Sequence, residues 1–166
     1  MKEVLILRAL KIKKVSGANP LWKMYQTIRF IKVCKNVIII EISRYLPSLK
    51  WKHWLYRKAL KMKVGRETAF AFKATPDILY PELITLGSNC VIGYNATILC
   101  YEYLVEEYRV GRVNIGDNVL IGANATILAG VNIGNNAIVA SGTIVSKDVP
   151  EDMMAFGNPM QLKKRR

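Results

Sequence analysis

The spacing of aliphatic residues in the second half of the chain predicts a repeating β-structure. An Ile, Leu or Val recurs at every sixth position, first from Leu86 to Ile98 and then from Ile115 to Val145. The fifth residue of each six-residue unit is expected to face the interior and is small or β-branched, with Glu102 as the exception. This pattern is typical of a solenoid in which each unit forms one short strand and one corner, and three units complete a coil. The sequence therefore predicts a mainly β fold, a parallel β-helix with a triangular cross-section.

Asparagine occupies the fourth position in five of these units, where the chain must turn a corner. Asparagine and glycine adopt a positive φ more readily than other residues do. We therefore expect left-handed backbone conformations at Asn89, Asn95, Asn118, Asn124 and Asn136.

The six-residue repeat is interrupted between Ile98 and Ile115. These positions are 17 residues apart, and the excess, roughly residues 103–112, does not fit inside the prism. We expect it to leave the prism as a loop. Long loops on a rigid scaffold commonly carry binding or catalytic residues, although an insertion without a role is the alternative.

The first third of the chain carries a helical pattern. Asn19 can cap a helix, Pro20 suits its first position, and Pro47 ends the pattern. Ser48 can cap a second helix. The apolar residues between Pro20 and Pro47 predict one helix face, formed by Leu21, Met24, Ile28, Ile31, Cys34, Ile38, Ile42 and Tyr45. The second helix has an apolar side formed by Trp51, Trp54, Leu55 and Met62.

We thus divide the chain into a basic amphipathic helical extension, residues 1–63, and a β-helix domain with a C-terminal tail, residues 64–166.

The excess positive charge is confined to the helical extension. The chain carries a net charge of +13, and residues 1–63 hold sixteen Lys and Arg against Glu3 and Glu41. Basic and apolar faces on one helix are typical of a segment that lies on an anionic membrane surface. The alternative is a cap that covers the open end of the β-helix, where exposed strand edges would otherwise pair. No recognition motif favours nucleic acid.

Cysteine usage and hydropathy indicate where the protein resides. The chain has three cysteines and no CxxC pair, which disfavours a disulfide framework and favours a reducing cytoplasm. Neither a secretory signal nor a run of ~20 uncharged residues is recognised. We expect a cytoplasmic protein that associates peripherally with the inner face of the membrane. Cys90 and Cys100 are interpreted as packing residues.

Two stretches resemble a known enzyme family. Residues 113–134, VNIGDNVLIGANATILAGVNIG, are similar to the central coils of the hexapeptide-repeat acyltransferases, in the branch of the maltose and galactoside O-acetyltransferases. VSKDVP at 145–150 and GNP at 157–159 resemble the C-terminal signature of that family. The resemblance implies a left-handed coil, a homotrimer with active sites between subunits, and acetyl-CoA as donor. The implied acceptor is a hydroxyl of a sugar or glycan. The basic helical extension indicates that this acceptor is linked to a lipid.

The resemblance has one departure at the catalytic position. The histidine that serves such enzymes as general base falls on Tyr101, next to Glu102, and the single histidine of the chain is His53. A phenol with a pKa of ~10 is a poor base at neutral pH. Three interpretations stay open: Glu102 acts as the base if burial makes it more basic, Tyr101 is deprotonated by a cation or positions the acceptor, or the chain is an inactive CoA-binding or scaffold homologue. The alternative to a role for Tyr101 in the reaction is that its ring merely packs in the cleft.

The resemblance also implies a binding site for CoA. Backbone groups of Ala123 and Ser141 correspond to positions along the pantetheine arm, and Ser146 and Lys147 to positions near the adenine. Lys164 could contact the phosphates. The alternatives are ordinary turns and a solvated run of charge. No metal is expected, because one histidine cannot supply the three zinc ligands of the γ-type carbonic anhydrases that share this fold.

Overall fold

The computed structural model describes residues 8–165 and forms a three-sided β-helix with helices at one end. All nine aliphatic positions of the six-residue repeat are at most 3% exposed, which confirms the predicted core. The helices and first strands are β1 (Lys11–Lys14), a 3-10 helix (Met24–Gln26), α1 (Phe30–Tyr45), α2 (Leu49–Lys58), β2 (Lys63–Val64), β3 (Ala69–Phe70), a 3-10 helix (Pro81–Leu83), β4 (Ile84–Leu86), β5 (Val91–Ile92) and β6 (Thr97–Ile98). The remaining strands are β7 (Tyr101–Tyr103), β8 (Glu107–Val110), β9 (Val113–Ile115), β10 (Leu120–Ile121), β11 (Thr126–Ile127), β12 (Asn132–Ile133), β13 (Ile138–Val139), β14 (Ile144–Val145), β15 (Met153–Phe156) and β16 (Gln161–Lys164).

Three parallel sheets form the sides of the prism. Face 1 contains β2, β4, β9 and β12, and face 3 contains β6, β11 and β14. Face 2 contains β3, β5, β10, β13 and β15, with β16 antiparallel at its edge. The C-terminal tail is therefore a β-hairpin, which the sequence did not predict. Each coil contributes one short strand to each face, as the six-residue repeat requires.

The corners of the prism are held by left-handed asparagines. All five predicted asparagines have φ between 55° and 58°, which confirms the expected conformation. Their side chains also connect successive coils. The amide of Asn89 donates to Asn118 at 2.9 Å, and that of Asn95 donates to Asn124 at 2.9 Å. These residues thus supply both the turn and a hydrogen bond between coils.

The predicted start of the first helix is wrong. Asn19 does cap a turn, because its Oδ1 accepts from the Trp22 amide at 3.0 Å, but this turn leads only to the 3-10 helix. The α-helix begins eleven residues later, at Phe30, after an extended Arg29. The break lets Ile28 turn inward, where it packs in one cluster with Leu79 and is 5% exposed. This long-range contact outweighs the local capping signal.

The predicted apolar face of α1 points largely away from the prism. Ile31, Ile38, Ile42 and Tyr45 are 57–81% exposed, whereas the residues of α1 that are buried are Val33, Asn36, Ile40 and Ser43. The amide of Asn36 donates to the Ile78 carbonyl at 2.8 Å, so a polar contact helps to fix the inward side. The chain therefore exposes an apolar stripe along α1.

The second helix covers the open end of the prism. Its start is confirmed, because the Ser48 hydroxyl accepts from the Trp51 amide at 3.4 Å. The buried Lys52 amine donates to the carbonyls of Phe70 and Ala71 at 3.1 and 3.3 Å, at the edge strand β3. A helix in this position prevents the first coil from pairing with another strand. The division of the chain at residue 63 stays a prediction.

The expected loop is a β-hairpin rather than an irregular segment. Strands β7 and β8 pair antiparallel, and β1 adds a third strand beside β8. The sequence did not predict β1, because residues 1–18 show no clear periodicity. No helix among residues 8–165 is long and apolar enough to cross a bilayer.

Candidate functional site

The hairpin leaves the prism at the corner between faces 3 and 1. Its neck is closed by a hydrogen bond of 2.9 Å from the Gly111 amide to the Cys100 carbonyl. A Cβ at Gly111 would lie 2.6 Å from Cα of Gly130, which occupies the same corner one coil further along. The absence of a side chain at 111 therefore lets the hairpin start directly against the next coil.

The three strands of the hairpin sheet separate their side chains onto two sides. Tyr101 lies opposite Val110 in the register, and Tyr103 lies opposite Tyr108. Because alternate residues of a strand point to opposite sides, the three tyrosines share one side. Lys13 lies opposite Tyr108 and joins them there. We call this the tyrosine side of the hairpin.

Tyr101 is half-buried on the tyrosine side. Its ring meets that of Tyr103 edge to face, with centroids 5.3 Å apart, and it packs against the buried cluster of Ile28, Val33 and Leu79. Burial raises the pKa of Tyr101, and the charges of Asp77 and Tyr103 raise it further. The hydroxyl therefore keeps its proton near neutral pH, which makes it a poor base.

Glu102 lies on the opposite side of the hairpin. It pairs with Arg8, whose guanidinium also donates to the Ala129 carbonyl at 3.2 Å, and Arg109 lies 3.9 Å from its second oxygen. Its side chain is 18% exposed, but it does not occupy the prism interior as the repeat predicted. That expectation is wrong because the chain leaves the prism after Cys100, where the six-residue repeat ends.

Asp77 is a buried carboxyl group that the sequence analysis missed. It is 1% exposed, and its Oδ1 accepts from the amides of Leu79 and Tyr80 at 2.8 and 2.6 Å. Its Oδ2 accepts from the Cys100 amide, so it ties residues 77–80 to the residue before Tyr101. Burial raises its pKa to about 6, and the three amide bonds oppose that rise. The Pro76-Asp77 pair was a turn signal that could have revealed it.

The buried cysteines and the absence of a metal cluster limit the chemistry of the described residues. The predicted packing of Cys90 and Cys100 is confirmed, since both are fully buried. Burial also raises the pKa of the Cys100 thiol, so it is not a ready nucleophile. Among residues 8–165, no group of three or more His, Cys, Asp or Glu side chains is positioned to hold a metal ion.

The residues implied for CoA lie around face 3. Ala123 and Ser141 occupy the corner between faces 2 and 3 in successive coils, where the Gly142 amide donates to the Ala123 carbonyl at 2.9 Å. Ser146 and Lys147 are exposed after β14, on the corner from which the hairpin leaves. These four residues and Tyr101 therefore border one face. Lys164 lies in β16, at the edge of face 2.

His53 is not part of this region. It lies on α2, where its Nε2 contacts the Gly65 carbonyl oxygen at 2.8 Å, over the first coil. The candidate site thus contains no histidine among the described residues.

The raised pKa of Asp77 predicts a loss of stability as the pH increases. The folded chain keeps this proton up to about pH 6, whereas the unfolded chain releases it near the ordinary value of 3.8. The free energy of unfolding therefore decreases by about 3 kcal/mol between those values on account of this group. We expect the stability of the native chain relative to Asp77→Asn to fall by roughly this amount from pH 4 to pH 7 in denaturant titrations. A difference that stays constant over this range would contradict the assignment.

Comparison with known proteins supplies the family. Residues 112–147 match the family described as "Hexapeptide repeat of succinyl-transferase". The chain is 57% identical over 148 residues to the Bacillus subtilis (strain 168) protein named "Putative acetyltransferase YvoF", covering 89% of this chain and 86% of that protein. It is 52% identical over 157 residues to the Staphylococcus aureus (strain MRSA252) protein named "Putative acetyltransferase SAR0816", covering 95% of this chain and 98% of that protein.

A solved structure with the same fold supports this result. It is the hexapeptide-repeat containing acetyltransferase of Vibrio cholerae O1 biovar eltor in complex with acetyl-CoA. It superimposes with a TM-score of 0.69 at 19% identity, covering 82% of this chain and 88% of that chain. These comparisons confirm the predicted fold and the predicted acetyltransferase class. The chain belongs to the hexapeptide-repeat acyltransferase family, and its prism is the left-handed parallel β-helix of that family.

Proposed function

We propose that this protein transfers an acetyl group from acetyl-CoA to a hydroxyl of a sugar or glycan. The observation that carries the proposal is the grouping around face 3. The hairpin that carries Tyr101 leaves the prism at the corner between faces 3 and 1, where Ser146 and Lys147 also lie. Ala123 and Ser141 lie at the other edge of face 3, at its corner with face 2. A long pantetheine arm could follow such a face toward the hairpin. The names of the close relatives and the acetyl-CoA bound to the Vibrio cholerae structure support the donor.

The reaction sets clear demands on the acceptor side. The acceptor hydroxyl oxygen attacks the thioester carbonyl carbon, the C–S bond breaks, and CoA leaves as a thiol or thiolate. The hydroxyl proton must pass to a base, which typically contributes ~10²- to 10⁴-fold to the rate. Tyr101 keeps its own proton, so in this proposal it positions the acceptor and does not activate it.

Glu102 is the other candidate base. Its carboxylate is paired with Arg8 on the side of the hairpin away from Tyr101, and this pair would have to open before a proton could be taken up. We therefore expect the native chain to be a slow enzyme. The alternative is a catalytically inactive CoA-binding or scaffold homologue, which the missing histidine favours.

Replacing Tyr101 with histidine tests the catalytic position. Imidazole titrates near neutrality, so we expect Tyr101→His to raise acetyl transfer and acetyl-CoA hydrolysis by about two or more orders of magnitude. Calorimetry should show equal binding of CoA to both chains. Tyr101→Phe is the matched control and should bring no gain.

Three other outcomes are informative. A native chain that is already active and gains nothing from the histidine would make Glu102→Gln the next variant to measure. An inactive native chain that binds CoA supports the scaffold alternative. If neither chain binds CoA, the assignment of the acyl donor is wrong.

We further propose that face 2 joins three copies of the chain into a homotrimer, with active sites between subunits. The outward residues of this face form an apolar ladder in register across the coils, consisting of Val91, Leu120, Ile138 and Met154. Leu120 is 42% exposed and Val91 49% exposed. Face 1 instead presents a polar ladder that includes Asn114 and Asn132. An apolar ladder of this kind is typical of a surface that is buried on association.

A charge introduced into the apolar ladder should dissociate the trimer. We expect sedimentation equilibrium to give a trimer for the native chain and a smaller species for Leu120→Lys. The control is Asn114→Lys, which adds the same charge to face 1 and should remain trimeric. A native chain that sediments as a monomer would refute this interface.

The helical extension is proposed to bind an anionic membrane that carries the acceptor. Trp22 and Ile31 are 84% and 81% exposed, and Trp51 and Trp54 of α2 are 63% and 53% exposed. The rings of the latter two lie 6.2 Å apart, with Lys50 beside them. Exposed tryptophans together with basic residues are characteristic of helices that lie in the headgroup region.

Removing both tryptophans of α2 tests the membrane proposal. We expect Trp51→Ser/Trp54→Ser to lose most of its co-sedimentation with vesicles that contain phosphatidylglycerol. The control Phe72→Ser/Tyr94→Ser removes two exposed aromatic rings from the β-helix and should bind like the native chain. Equal binding by both variants would argue against docking through α2.

A further inference from the structure

A basic pocket lies beside the hairpin, at the end of the tyrosine side that is farther from Tyr101. It has a volume of about 340 Å³ and lies between the end of β1, the turn before α1 and strand β8. Its polar lining consists mainly of Lys13, Lys14, Lys23, Gln26, Thr27 and Tyr108. The volume is at the lower end of the range for small-molecule sites, which is enough for a compact anionic group.

The charges of this pocket are not balanced by nearby acids. None of the described residues that line it is acidic. Within residues 8–165, no carboxylate lies within 4.0 Å of the amines of Lys13, Lys14 or Lys23. Glu107, which lies opposite Lys14 in the register, is bound by Arg109 at 2.7 Å. Lys13 and Lys23 therefore bring two positive charges without a nearby carboxylate to the same pocket, and a bound anion would neutralise them.

The pocket is connected to the candidate site by the tyrosine side of the hairpin. Ring centroids of Tyr101 and Tyr103 lie 5.3 Å apart, and those of Tyr103 and Tyr108 lie 5.8 Å apart. Tyr108 lines the pocket, and Lys13 is its partner in the register. A row of three rings therefore leads from the proposed acceptor position to the lysines.

We infer that this pocket binds a phosphate group of the acceptor, so that the acceptor is a phosphorylated molecule. The inference rests on the proposed acetyl transfer, since it assigns the acceptor side of that reaction. A phosphate carries up to two charges and several acceptor oxygens, which allows it to bind two lysines at once. The residues implied for CoA lie on the corners of face 3 and in β16, so the phosphates of CoA are assigned elsewhere.

Binding of inorganic pyrophosphate tests the pocket directly. Calorimetry is carried out at low salt with saturating CoA present, so that groups which hold the phosphates of CoA are occupied. We expect Lys13→Ala/Lys23→Ala to weaken pyrophosphate binding by roughly tenfold or more. The control Lys35→Ala/Lys50→Ala removes the same charge from exposed positions of α1 and α2 outside the pocket and should bind like the native chain. Equal affinity of all chains, or equal weakening in both variants, would overturn the inference for a soluble phosphate.

A second measurement distinguishes a soluble phosphate from one on a lipid. Co-sedimentation compares phosphatidylcholine vesicles with and without phosphatidic acid. Vesicle binding that depends on phosphatidic acid and on Lys13 and Lys23 indicates a lipid phosphate, even if pyrophosphate does not bind. Pyrophosphate binding with no effect of these lysines on vesicles indicates a soluble acceptor. If neither ligand depends on them, the cluster is an ordinary solvated surface and the inference is wrong.

The test separates this inference from the proposed function. Both lysines are exposed or partly exposed and lie outside the residues assigned to CoA, so CoA binding and acetyl-CoA hydrolysis should be unchanged in Lys13→Ala/Lys23→Ala. A chain that binds no CoA refutes the acetyl transfer but leaves the measured phosphate binding intact. Reduced CoA affinity in this variant would show that the lysines serve the donor instead, which would overturn the acceptor assignment.

Discussion

The narrow interior of the prism is the constraint on which the rest of this structure depends. Most six-residue units fill it with one aliphatic residue and one small or β-branched residue, such as Ala125 or Val131, both fully buried. Protein interiors are close-packed, so an additional side chain would have to displace these residues. The corners must therefore turn within very few residues, and any excess residues must leave the prism. The hairpin that carries Tyr101 is a direct result of this exclusion.

The sequence was sufficient to predict the features that depend only on residues close together in the chain. A residue such as Ile127 is buried because of its position in the repeat, and Asn118 adopts a positive φ because few other residues do so at low cost. The features that were missed depend on contacts between distant segments. Strand β1 exists because β8 lies beside it, and α1 starts late because Ile28 packs against Leu79. Neither partner can be found by reading the first 30 residues.

The candidate site was predictable only in part for the same reason. The resemblance identified the adjacent residues Tyr101 and Glu102 as candidate catalytic residues. Because they are adjacent on strand β7, their side chains point to opposite sides of the hairpin. Glu102 thereby anchors the N-terminal segment through Arg8, while Tyr101 faces the tyrosine side. Asp77, which ties the neck of the hairpin to residues 77–80, sits in a part of the chain that interrupts the repeat. A repeat pattern carries no information about such an insertion.

The pairing of β1 with the hairpin has a consequence for how the protein is made. Arg8 and Glu102 are 94 residues apart, so the N-terminal segment leaves the ribosome long before its partner strand exists. The first coils of a solenoid can fold as they emerge, because each coil contacts mainly its neighbours. The three-stranded sheet cannot, since its closure requires a contact of high sequence separation. Strand β1 therefore stays unpaired until β8 has been synthesised. The three-stranded sheet, which is proposed to recognise the acceptor, is thus assembled only after the coils that support it.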